Sequence, residues 1–199
     1  MSDDAAAYVR KMKRAAKILF YKRHQQPGVK GWELKRALGG DYAKIIDLLN
    51  QQLENLDLQV KIVFETPEQP RNPTDEQLDK ARFYITLKEH LQASDLTMAG
   101  WRIDDVAVLV VTVAYIISKQ GKAQRNEIEQ ILAEKLPKWR FDHSLNRFIR
   151  VGYLSQDDAG ILYLDWRARA EIDQKTLLKL ILDERIVSAQ PTIRREISR

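Results

Sequence analysis

The 199-residue chain contains no cysteine, which removes disulfide frameworks, thiolate zinc sites and thiol nucleophiles together and fits a reducing compartment. Glycine is sparse, and no glycine-rich phosphate loop is present. Gly39-Gly40 lacks the residues that would have to follow and stands where a helix must end. Long apolar runs are lacking as well. The longest, residues 106–117, is interrupted only by Thr112 and falls short of the roughly 20 residues of a membrane span, so it predicts a buried core helix. The opening Met1-Ser2-Asp3-Asp4 is acidic where a secretory signal is basic and then apolar. His24, His90 and His143 lie far apart, none with a second ligand at metal spacing. The carboxylate pairs Asp3-Asp4, Asp104-Asp105 and Asp157-Asp158 fall at the chain start, a helix start and a turn, each a structural position. No nucleophile elbow or Ser-His-Asp spacing is found. The expectation is a chain with no catalytic site, cofactor, metal, small-molecule substrate or membrane contact, residing in the cytoplasm or on the nucleoid, or in a nucleus.

What is there is an ordinary globular balance, 44% hydrophobic and 31% charged, with a net charge of +5 and a pI near 9.3. A basic total raises the expectation of an acidic partner only modestly; the clustering of the charges decides.

The sequence runs the same short programme twice. Ser2 or Asp3 caps an amphipathic helix that reaches about His24, with Tyr8, Met12, Ala15, Ala16, Leu19 and Phe20 as its apolar stripe. Gln25-Gln26-Pro27-Gly28 ends it, and a short helix follows over residues 32–38. Asp41 then caps a third helix carrying Ile45, Ile46, Leu48, Leu49, Leu53 and Leu56 on one face. Residues 58–64 and 82–87 alternate as strands around a proline-bearing loop at 66–74. After a hinge the order returns: helices over 103–119, 126–136 and 141–151, then strands at 153–155 and 161–164 about the turn Gln156-Asp157-Asp158-Ala159-Gly160. Three helices and a hairpin is the winged-helix order. The predicted fold class is mainly α with small β-hairpin wings (α+β), in tandem winged-helix domains. The first spans residues 1–93, a hinge 94–102, and the second, with a closing helix past Trp166, residues 103–187. A basic loose tail occupies residues 188–199.

In a helix-turn-helix derivative the third helix can enter the major groove while the wing touches the backbone. Lys138, Arg140, Arg147 and Arg150 lie on or beside the third helix of the second unit. The spacings of seven and three put Arg140, Arg147 and Arg150 on one face, which His143 joins. Lys122 and Arg125, just before the second helix, would add phosphate contacts. The same face serves equally well as a solvated surface or a protein contact. Any DNA bound there would be held mostly through its backbone, with strong salt dependence. The corresponding helix of the first unit is mixed in charge, whereas its first helix offers Lys11, Arg14, Lys17, Lys22 and Arg23 to solvent or to an acidic partner. Trp32 reads as an anchor of the first core and Trp166 as the anchor of the final helix on the second unit. Trp101, near the hinge, and Trp139, beside the basic helix, read as part-exposed interface residues.

Several segments carry a resemblance. They are Ala16-Lys17-Ile18-Leu19-Phe20-Tyr21-Lys22 with Pro27-Gly28-Val29-Lys30-Gly31-Trp32-Glu33-Leu34, the strand at 82–87, and the helix at 108–117. Gly121, residues 127–132, Arg150-Val151-Gly152-Tyr153-Leu154 and Tyr163-Leu164-Asp165-Trp166-Arg167-Ala168-Arg169-Ala170 complete the set. With them the chain resembles the MAGE homology domain over residues 8–182. That family includes a non-SMC subunit of a eukaryotic SMC complex involved in DNA repair. The resemblance implies a kleisin-type partner, a RING-type ubiquitin-ligase partner and duplex DNA, bound mostly without sequence preference. The family's paired leucines of the first helix, implicated in RING binding, match here as Ile18-Leu19, a conservative departure. The leading expectation is a non-catalytic subunit of an SMC-like chromosome-maintenance complex, bridging kleisin and DNA. The alternatives are a winged-helix transcription regulator and a scaffold of the ESCRT-II or ligase-adaptor kind that touches no DNA.

Overall fold

The computed structural model describes residues 3–22, 26–64, 70–88 and 100–182. The hinge, apart from residues 100–102, and the tail expected from the sequence lie outside them, as do His24 and His90.

The first unit comprises α1 (Asp3–Tyr21), β1 (Val29–Lys30), α2 (Gly31–Leu38), α3 (Tyr42–Leu53), β2 (Leu58–Val63), α4 (Asp75–Lys80) and β3 (Arg82–Leu87). The second comprises α5 (Ile103–Ser118), β4 (Lys122–Gln124), α6 (Arg125–Ala133), α7 (Lys138–Arg150), β5 (Leu154–Gln156), β6 (Ile161–Leu164), α8 (Trp166–Glu171) and α9 (Gln174–Leu182). Both sheets are antiparallel and three-stranded with the last strand in the middle, β1-β3-β2 and β4-β6-β5. The wing of the first unit pairs Leu58 with Leu87 through Val63 with Arg82. That of the second pairs Leu154 with Leu164 and Gln156 with Leu162. The predicted class, mainly helical with small hairpins, is the observed one.

Each unit buries its own core. In the first, Ala15 and Leu19 of α1, Leu34 and Leu38 of α2, and Ile45, Ile46, Leu49 and Leu53 of α3 close over Val60 and Phe83 of the wing. In the second, Val108, Val113 and Ile116 of α5 meet Ile128, Phe141, Leu145 and Phe148, over Leu154 and Leu162. These are the positions that three- and four-residue helical spacing and two-residue strand spacing direct inward.

The differences from expectation are local. The outer edge strands are only two and three residues long, too short for an alternating pattern to show. The stretch after the expected loop, to which the sequence reading assigns no element, forms helix α4, whose first turn is held by a capping box. The Gln77 amide donates to Thr74 Oγ1 at 3.3 Å, and the Thr74 amide donates to Gln77 Oε1 at 2.9 Å. A Cβ on Gly31 would stand 1.9 Å from the Leu78 carbonyl oxygen, so glycine is what lets α2 and α4 approach this closely. Asp41 occupies the N-cap of α3 without making a side-chain cap hydrogen bond. Leu48 and Leu56 of the expected apolar face are exposed, as are Tyr8 and Phe20 of α1. The single closing helix is instead two, broken at Asp173, whose carboxylate accepts from the Lys175 and Thr176 amides and starts α9.

Candidate functional site

The basic face of the second unit is largely self-satisfied. Arg140 Nη2 donates to Asp104 Oδ2 at 3.0 Å and Arg147 Nη1 to Asp105 Oδ2 at 3.1 Å. Asp105, only 3% exposed, also accepts from Ser144 Oγ at 2.7 Å. Arg125 donates to Glu129, Asn146 and Gln156 at 2.7, 3.0 and 3.1 Å and lies 3.6 Å from Asp142. Lys138 Nζ stands 3.9 Å from both Glu129 and Asp142. Lys122, Arg150 and His143 are exposed, and among the described residues they have no ion pair. The spacing that placed Arg140 and Arg147 on one face is equally the spacing of a helix packed on its neighbour. The start of α5 supplies the carboxylates, so Asp104-Asp105 is more than a helix start.

The expected interface residues divide. Leu19 is buried in the first core and Ile18 packs against it, so neither is a free surface residue. Trp101 is half-buried, its ring stacked on Phe148 at 6.1 Å and edge-on to Tyr153 at 5.8 Å, with Arg147 Cζ 5.1 Å from its centroid. It anchors the start of the second unit. Trp139 is 69% exposed, as its position predicts. Trp32, expected in the core, is 51% exposed.

Trp166 is buried where the two units meet, rather than within the second unit alone. Its ring packs with Val63 and Tyr84 of the first unit, edge-on to Tyr84 at 5.3 Å and 75°. Arg82 Cζ stands 5.0 Å from its centroid, and its Nε1 donates to Gln26 Oε1 at 3.1 Å. Lys61 Nζ donates to the Ala170 carbonyl across the same seam.

Beside this seam opens a cleft of about 870 Å³, which the sequence reading did not anticipate. The first unit contributes Gln59, Lys61, Tyr84, Thr86 and Lys88; the second contributes Trp101, Tyr153, Arg167, Arg169, Glu171 and Lys175. Cations outnumber carboxylates on its walls. Arg167 lies over the Tyr153 ring at 4.5 Å and donates to Glu171 at 2.8 Å, while the Tyr153 hydroxyl donates to Glu171 as well. Arg169 is exposed and has no ion pair among the described residues. Tyr84 is only 2% exposed, yet its hydroxyl has no hydrogen-bond partner among the described residues, an exception to the rule that buried polar groups are paired. Burial pushes the phenols of Tyr84 and Tyr153 up, Glu171 adding to the shift and Arg167 opposing it. Among the described residues no group of three or more metal-ligating side chains converges. No helix there is long and apolar enough to cross a membrane.

No protein family matches the sequence, and no curated protein does. A chain of the solved Nse1-Nse3-Nse4 complex aligns with 96% of this chain over 94% of its own length, with a TM-score of 0.65 and 16% identity. The likeness is one of fold, and it spans both units: this chain has the tandem winged-helix fold found in the Nse1-Nse3-Nse4 complex, the fold that the resemblance to the MAGE homology domain implies.

Proposed function

We propose that this chain is a non-catalytic tandem winged-helix subunit of an SMC-type chromosome-maintenance complex, and that the cleft between its units receives an extended segment of a kleisin-type partner. The fold neighbour is itself part of an assembly of Nse1, Nse3 and Nse4, and the fold covers nearly the whole chain. The observation that carries the reading is the cleft. It takes walls from both units, and it combines aromatic side chains with Arg169, which is exposed and has no ion pair among the described residues. Such a site suits a peptide that brings carboxylates, because Arg167 is already held over the Tyr153 ring and loses little freedom on binding. A RING-type partner is part of the same reading, although Ile18-Leu19 lies in or against the core and is no free handle for it.

Duplex DNA is the second partner we assign, through non-specific phosphate contacts. Its contacts rest on Lys122 and Arg150 more than on Lys138, Arg140, Arg147 and Arg125, whose donors already face carboxylates or amides. A transcription regulator reading bases would need Arg140 and Arg147 free on the third helix.

The test is purification of the tagged chain from its own cells after nuclease treatment, beside the variant Lys61→Glu with Arg169→Glu. Recovery of a kleisin or SMC ATPase with the parent and its loss with the variant is the expected result. Recovery of transcription machinery or membrane-remodelling subunits instead would overturn the reading. An SMC subunit retained by the folded variant would remove the cleft from it.

A further inference from the structure

Between Asp4 and Glu33 the chain carries no carboxylate side chain, while Arg10, Lys11, Lys13, Arg14, Lys17, Lys22 and Lys30 all fall in that stretch. Helix α1 turns Met12, Ala15, Ile18 and Leu19 to the first core, so at 3.6 residues per turn Arg10, Lys13, Arg14 and Lys17 line the opposite, solvent-facing side. All four are exposed and, with Lys11, have no ion pair among the described residues. This differs from the second unit, where Arg140 and Arg147 of α7 are matched by Asp104 and Asp105. The stripe ends in aromatic surface. Tyr21 is 79% exposed and Phe20 is 50% exposed, their rings 6.5 Å apart. Lys22 pairs with Glu33, which ties the end of α1 to the first turn of α2, where exposed Trp32 stands.

Single exposed apolar residues are ordinary on protein surfaces; large aromatic rings at the end of an unneutralised cationic track are a recurring means of holding single-stranded nucleic acid. The cations follow the phosphates, and the rings stack on bases irrespective of their sequence. The geometry points to α1 and the start of α2 as a binding surface for single-stranded nucleic acid. The charge of the helix selects a polyanion. The aromatic corner selects one with free base faces over a duplex, whose bases are stacked inside, or an acidic peptide, which has none. The surface lies on the first unit and does not rest on the kleisin reading of the cleft.

The experiment is fluorescence anisotropy of the full chain with a labelled oligothymidylate strand, with a duplex and a polyglutamate peptide alongside, each over a range of salt. Two exposed-site variants are measured, with circular dichroism to confirm that each folds. Lys13→Glu with Arg14→Glu and Lys17→Glu should weaken the strand at least about tenfold and lower its log–log salt slope by about 2, from about 0.7 per phosphate contact. Tyr21→Ala with Trp32→Ala should weaken the strand about fivefold or more with the salt slope unchanged, because stacking releases no counterions. Unchanged strand affinity in the charge variant overturns the proposal. So does a duplex or polyglutamate that loses as much affinity as the strand in both variants, or an aromatic variant that binds the strand at parental affinity.

Discussion

Tyr84 separates two roles that a buried hydroxyl can have. Its ring fills the seam against Trp166, and phenylalanine would fill the same space. Its hydroxyl has no partner among the described residues, so removing it takes away an uncompensated burial cost rather than a bond. Tyr84→Phe should therefore leave stability at neutral pH unchanged or slightly raised in urea denaturation, and leave a segment bound in the cleft unaffected, because the hydroxyl is closed off from the cleft surface. Loss of stability would make the hydroxyl structural. The same group bears on alkaline behaviour. Burial pushes Tyr84 and Tyr153 up, and it pushes Tyr42 up to about 12, with Asp79 adding to the Tyr42 shift. Each phenol keeps its proton in the folded chain at a pH where the unfolded chain has lost it. Their contribution is thus whole below about pH 10, the unfolded value, and declines as pH rises above it. Tyr84→Phe should flatten part of that decline.

At the scale of elements, helix α7 shows what periodicity can and cannot say. Its apolar face, Phe141, Leu145 and Phe148, is in the core where spacing put it. The polar side was harder to read, because a seven-residue interval marks a common face without naming what faces it. Arg140→Glu with Arg147→Glu would set new carboxylates against Asp104 and buried Asp105, so this pair should destabilise the second unit by about 3 kcal/mol or more, read as a shifted urea midpoint. Lys122→Glu with Arg150→Glu touches no ion pair among the described residues and should leave the midpoint in place, so a fall in duplex affinity there reports contact rather than unfolding. An unshifted midpoint in the arginine variant would mean that Asp104 and Asp105 do not need their partners. The repeat itself was legible, since long periodic helices and the wing strands at 82–87 and 161–164 come from local pattern alone. Helix α4 was legible in principle, through Thr74 and Gln77 at capping-box spacing, but it is short and follows directly on a loop with three prolines. The cleft was not legible. Tyr84 and Tyr153 meet only because two separately folded units dock, and no local spacing encodes that.

At the scale of the whole molecule, the docking of the units turns on few side chains, and Trp166 is central among them. Its indole touches Tyr84 and Val63, lies under Arg82 and donates to Gln26, all on the first unit, while α8 holds it to the second. Gly152 leaves it room: φ is +86°, and a Cβ there would stand 2.6 Å from Trp166 Nε1. Neither core depends on the indole, because both hydrophobic clusters close without it. Trp166→Ala removes a buried aromatic, a change that costs about 3–5 kcal/mol in a core, and here the loss falls on the seam. The expected outcome in scanning calorimetry is that one cooperative transition divides into two, each unit melting by itself, with Gly152→Ala giving a milder version of the same division. The cleft takes its walls from both units, so partner binding should fall in parallel although no wall residue has changed. A single transition at lower temperature, with the partner still bound, would show instead that the seam is held by the remaining contacts, Lys61 to the Ala170 carbonyl among them, and that Trp166 adds stability without setting the geometry of the pair.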